Sequence, residues 1–220
     1  SVFVQLLKPS SFTPVLALIG VIFYIFLKSS KKKDVGIVLL GFATLMFGMD
    51  MMSDAMAPLK NYEWFRSMFS MFTNPFLGII VGTLLTAVIQ SSSASVGILQ
   101  GLCITGAVTY GSAIPIILGQ NIGTCVTAML GAVGASRNAR RAATLHLLNK
   151  IVGALLFLVI FYGLGLFIDW KFLSLATRPV DIAIVHTAYN VAVTLVLIPA
   201  RHLMIKAVCK LITDAKEEEE

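Results

Sequence analysis

Charged residues are scarce in this chain. Asp, Glu, Lys and Arg make up 13% of its 220 residues, about half the share found in a soluble domain. With 57% hydrophobic residues and a mean hydropathy of +0.89, a water-soluble globular fold is excluded. Cysteine is sparse too: Cys103, Cys125 and Cys209 are scattered in or beside apolar runs, with no C-x-x-C spacing. Neither a structural zinc site nor a disulfide framework is expected. The net charge of +6 lies in loops rather than on one amphipathic face, so no nucleic-acid partner is expected. An initiator methionine is missing as well; Ser1 opens directly on Val2-Phe3-Val4, and the far end closes on Glu217–Glu220. Both ends read as cut or processed, and the acidic tail as a solvated charge run.

What is present is a series of apolar runs: Phe12–Leu27, Val35–Met49, Phe76–Ile89, Ala94–Leu118, Thr124–Ala135, Ile151–Ile168 and Val180–Ala200. They predict an all-α polytopic membrane protein. Basic residues orient it. Lys28 and Lys31–Lys33, then Arg137, Arg140 and Arg141, then Arg201, Lys206 and Lys210 mark three cytoplasmic places, the last setting a cytoplasmic carboxyl terminus. Residues 61–73 and 170–178 are then external, and each holds one of the two tryptophans, Trp64 and Trp170, as interfacial anchors. The expected units are a first span with its basic loop (1–34), a second span and external segment (35–75), an interrupted middle region (76–135), a basic loop with two closing spans (136–212), and the tail (213–220).

The middle region is the informative one. Phe76–Ile89 is 14 residues, about 21 Å as helix, short of the ~20 residues a span needs. It stops at Gln90-Ser91-Ser92-Ser93, and apolar sequence resumes at Ala94. A re-entrant hairpin entering from outside and turning at the serines fits this pattern. Further on, Gly119-Gln120-Asn121-Ile122-Gly123-Thr124 interrupts a second apolar run, and two glycines flanking Gln-Asn predict a locally unwound, broken transmembrane helix. Gly163 and Gly165 are read as allowing close helix packing.

Polar groups this deep in lipid must be paired or face a wet cavity, since each unpaired one costs several kcal/mol. A serine nucleophile is not expected: no His, Lys, Asp or Glu lies between Phe76 and Gly119, and no G-x-S-x-G elbow occurs. The chain is therefore read as no enzyme, with no cofactor. Hydroxyls and helix N-terminal N–H groups suit an oxyanion. No Lys or Arg occurs between Arg66 and Arg137, so a bound anion would need co-bound cations for neutrality. The competing explanation is polar glue between helices. Asp50 and Asp54 lie toward the outer end of the second span, where they are read as wet. His146/Asn149 and His186/Asn190, each one helical turn apart, are read as hydrogen-bonded pairs.

The order Thr86-Ala87-Val88-Ile89-Gln90-Ser91-Ser92-Ser93 followed by Gly119-Gln120-Asn121-Ile122-Gly123-Thr124 resembles the type II sodium–phosphate cotransporter family, bacterial branch. The likeness extends to Gly48-Met49-Asp50-Met51-Met52-Ser53 and Arg140-Arg141-Ala142-Ala143. It implies uptake of inorganic phosphate across the cell membrane with co-transported Na+. By resemblance, Gln90, Ser91, Ser92 and Ser93 contact phosphate, while Gln120, Asn121, Thr124 and Thr127 form the sodium site. The family carries two inverted repeats, each with its own Q-S-S-S, and one occurs here. The chain is thus expected to be one inverted-repeat unit, the carboxyl-terminal one, completed by an amino-terminal repeat or a second copy. An anion channel subunit and a non-transporting membrane assembly module are the alternatives.

Overall fold

Apolar length decides which helices can cross a bilayer. The structure is a computed structural model that describes residues 9–213; all of the expected tail, 213–220, except Thr213 lies outside the described residues. Its helices are α1 (Pro9–Phe26), α2 (Ser30–Met56), α3 (Glu63–Met71), α4 (Pro75–Ile89), α5 (Ser92–Leu102), α6 (Tyr110–Gly123), α7 (Cys125–Gly131), α8 (Arg137–Leu164), α9 (Pro179–Leu197) and α10 (Arg201–Leu211). Among the described residues there is no strand, only an isolated bridge between Thr109 and Ala176. Among the described residues, four helical stretches are long and apolar enough to span: Ser30–Leu59, Tyr110–Gly131, Arg137–Leu164 and Pro179–Leu197. The described apolar part of α1, Phe12–Phe26, is shorter. The expected all-α membrane protein is what the chain forms.

Helix starts follow local chemistry. The Asn74 side chain accepts from the N–H groups of Phe76 and Leu77, and Pro75 takes the first turn of α4, where its missing N–H costs nothing. Thr109 and Ser112 close a reciprocal cap on α6, and Ser136 caps α8. At α9, Asp181 accepts from the Arg178 N–H and guanidinium at 2.8–3.1 Å. A bend of 107° separates α3 from α4.

α4 and α5 form a helical hairpin whose tip is Gln90-Ser91. One side of it rests on α6 through a seam of small residues. A Cβ placed on Gly82 would run into the Ile116 carbonyl, and one on Gly119 into the Ile79 carbonyl; Gly78 lies against Pro115 and Gly123 against Thr83. The two helices run parallel at near backbone contact, a small-residue packing used between membrane helices. The expected unwinding at 119–123 is corrected by this seam: those residues remain helical, and the interruption is confined to the junction at Thr124. The glycines are there for close approach, not for unwinding. Gly163 is corrected in the opposite sense, since a Cβ there meets nothing within 4 Å, whereas Gly165 does lie against Trp170.

The other arm of the hairpin is held by an apolar core of Phe65 and Phe69 from α3, Val96 and Leu99 from α5, Ile116 and Ile117 from α6 and Ile182 from α9. Gln100 Nε2 donates to the Pro179 carbonyl at 3.0 Å and ties α5 to the start of α9. Towards the α8–α9 connection, Trp170 stacks on Phe161 with centroids 5.3 Å apart and donates its Nε1–H to the Phe161 carbonyl. The hairpin tip is thereby presented by three packed elements.

Candidate functional site

Gln90 has φ 55° and ψ 22°, the only non-glycine residue with positive φ among the described residues. Its N–H still donates to the Thr86 carbonyl at 2.8 Å, so α4 ends there as a left-handed cap. The Gln90 side chain is exposed at the tip. Ser91 then adopts an extended conformation, and its Oγ accepts from the Ala94 N–H at 3.3 Å to start α5. Ser92 and Ser93 fall in the first turn, where helix geometry leaves N–H groups without an intrahelical acceptor. A non-glycine residue in this conformation costs on the order of 1–2 kcal/mol. Gln90→Gly should therefore leave stability unchanged or raise it by at most about 1 kcal/mol after the entropy cost of glycine, with the melting temperature unchanged or higher. Thermal denaturation of the purified protein in detergent checks this.

Ser91, Ser92 and Ser93 line a cavity of about 790 Å³, walled by Phe42, Leu45, Met49 and Met52 of α2 and by His186 of α9. That is ample for a small hydrated solute. Its serine wall is polar and its α2 wall apolar.

Behind the cavity lies a buried polar web. Thr86 Oγ1 and Ser95 Oγ share a hydrogen bond of 2.8 Å, and Gln120 Nε2 donates to both Ser95 O and Ser95 Oγ at 2.9 Å. All three side chains are almost fully buried. Gln120 Oε1 is also buried, and it has no donor among the described residues. Thr124 Oγ1 donates to the Gln120 carbonyl at 2.8 Å. The glutamine of the second motif therefore touches α5 at Ser95, two residues beyond the three serines. Thr127, in contrast, is exposed on α7, away from this web.

Asn121 and Asn190 reach a residue that the sequence reading overlooked. Lys150 Nζ donates to Asn121 Oδ1 and to Asn190 Oδ1, both at 2.9 Å. The expectation that this region holds no fixed cation is corrected: α8 brings one in from outside the window between Arg66 and Arg137. His186 and Asn190 do pair, but through the His186 backbone carbonyl, which accepts from Asn190 Nδ2 at 2.8 Å. Asp54 is exposed and Asp50 half-buried. Thr86 was read only as the opening of the serine motif, and Ser95, on its other flank, was given no role. Their nine-residue separation across the tip was the available signal.

Comparison with known proteins gives the family of the chain. A Salmonella typhimurium protein named "Putative inorganic phosphate export protein YjbB" is 28% identical over 206 residues, 93% of this chain and 37% of its own length. YqeW of Bacillus subtilis is 27% identical over 197 residues, 89% of this chain and 63% of its own. Human sodium-dependent phosphate transport protein 2B is 39% identical over 119 residues, 50% of this chain and 17% of its own. The chain thus spans between about a sixth and two thirds of the length of these relatives. No solved structure matches it. The family model described as Na+/Pi-cotransporter matches residues 1–54 and 44–174, and the chain belongs to that family.

Proposed function

We propose that this chain supplies one serine-hairpin unit of a sodium-coupled carrier of inorganic phosphate. The observation that carries the reading is the cavity at the hairpin tip, where three consecutive serines and the first turn of α5 face one space. Phosphate oxygens are acceptors, and the serine hydroxyls and first-turn N–H groups are donors. Gln90, exposed at the same tip, adds a carboxamide from the rim. Residues 76–135 form the transport core, with the hairpin re-entrant from the outside and the carboxyl terminus cytoplasmic.

Cations complete the charge balance. Gln120 Oε1 is a buried oxygen without a donor among the described residues, and the Thr124 hydroxyl, which donates to the Gln120 backbone carbonyl, retains accepting capacity. These two are the oxygens we assign to Na+. Asn121 Oδ1 already holds an ammonium, and Thr127 stands apart on α7. α2 walls one side of the cavity, Gly48 among its lining, and a Cβ on Gly41 or Gly48 would meet nothing within 4 Å. A second unit of the same kind, an amino-terminal repeat or another copy, would complete the enclosure.

The deciding measurement is radiolabelled phosphate uptake into vesicles holding the chain together with the unit that completes it. Uptake should collapse when external Na+ is replaced by K+ or choline. Uptake indifferent to the cation would overturn the coupling. The Salmonella relative carries a name for export, so efflux from loaded vesicles is the second arm; efflux that proceeds without Na+ would favour that direction. Steady single-channel currents instead of saturable flux would identify a pore.

A further inference from the structure

Asn121 on α6 and Asn190 on α9 are set in the same way. Asn121 Nδ2 donates to the Ile117 carbonyl at 3.0 Å, and Asn190 Nδ2 donates to the His186 carbonyl at 2.8 Å. Each amide nitrogen is therefore turned back on the carbonyl four residues earlier in its own helix. Each carboxamide oxygen is consequently fixed outward, and both oxygens converge on one point, where Lys150 Nζ sits 2.9 Å from each. Orientation of a ligand oxygen by a bond to the other end of its side chain is how proteins prearrange cation sites. Neutral amide oxygens converging inside a membrane protein must be met by donors or by a cation. Among the described residues no carboxylate lies in salt-bridge distance of Lys150.

We infer that the Asn121–Asn190 pair is a monovalent-cation position and that the Lys150 ammonium occupies it permanently, in place of a free ion. Lys150 arrives from α8, between the two asparagine-bearing helices, so one charge joins three elements. This rests on the cation-coupled reading only for its consequence: the exchangeable ion must bind elsewhere, at Gln120, and one charge fewer has to be carried from outside. A lysine ammonium offers three donors, and two are used here. The hydrogen bonds are charge-assisted, about twice as strong as neutral ones.

The test reads thermal stability, so it stands apart from the uptake assay and either can fail alone. Full-length purified protein, wild type and Lys150→Met, is melted in sodium chloride and in choline chloride of equal ionic strength. In choline, Lys150→Met should melt lower by about 5 °C or more. Sodium should restore at least half of that loss, giving the variant a larger sodium-dependent shift than wild type has, as expected for ligand binding to the folded state. Lys150→Asn should behave in the same way. The double variant Lys150→Met, Asn190→Leu should lose the extra sodium shift, because one of the two oxygens is gone. Asn190→Leu alone should melt lower with no gain from sodium, since the tethered ammonium still fills the place. Three outcomes would overturn the inference: Lys150→Met melting with wild type in choline, its sodium shift equalling that of wild type, or both Lys150 variants failing to fold in either salt, which would mean that no free cation substitutes for the ammonium.

Discussion

Gly119→Leu should yield no monodisperse, folded protein. The Cβ alone would collide with the Ile79 carbonyl, and the nearby backbone atoms of Ile79 and Thr83 belong to a helix that cannot rotate aside. Overpacking in a well-packed core costs about 1–3 kcal/mol when side chains can move; here the obstacle is backbone, so the helices must part. Parting them also breaks the bond from the Thr83 hydroxyl to the Gly119 carbonyl, which joins the same two helices. Size-exclusion yield and the melting curve in detergent read the result. Gly163→Ala is the control, since that Cβ meets nothing within 4 Å and alanine favours helix by about 0.5–1 kcal/mol. If Gly119→Leu and Gly163→Ala both fold as wild type, the parallel seam is not the organising contact.

Ser92→Ala is expected to reduce phosphate uptake by tenfold to a hundredfold, the effect of losing one hydrogen bond to a charged group, about 1.5–3 kcal/mol. Ser92 is chosen over Ser91 for a structural reason. The Ser91 hydroxyl caps α5, so its removal would mix a folding loss of about 1 kcal/mol with any binding loss. Ser92 lies one residue inside the helix, half-exposed and on the cavity wall, and its removal should leave the melting temperature within experimental error. Ser92→Thr keeps a hydroxyl and should recover part of the uptake. Unchanged uptake by Ser92→Ala would remove the hairpin from the phosphate path and favour an assembly role.

The spans and the hairpin were legible because they rest on composition and on local punctuation. Pro75 and Asn74 mark a start, and Gln90 and Ser91 a stop, with physics contained within a few residues. The Gly119–Gly123 segment was misread because two glycines four apart serve equally for unwinding and for close packing. The partner pattern, Gly78 and Gly82 at the same spacing in α4, decides between them, and it can be read from sequence once the helices are paired. Lys150 was illegible for another reason. It sits where a basic stretch passes into an apolar run, a place where lysine is ordinarily solvated, and its two partners lie 29 and 40 positions away. Local pattern carries no trace of that convergence.

The glycine seam also restricts how such a unit can change shape. Surfaces that touch through side chains can slide by swapping rotamers, but α4 and α6 touch through carbonyl groups seated over bare glycines. Displacing one by a single position would drive Ile116 or Ile79 into main chain. The hairpin's first arm and α6 must therefore travel as one stiff block, and any alternation of access to the serines falls to the side-chain-lined boundary with α2.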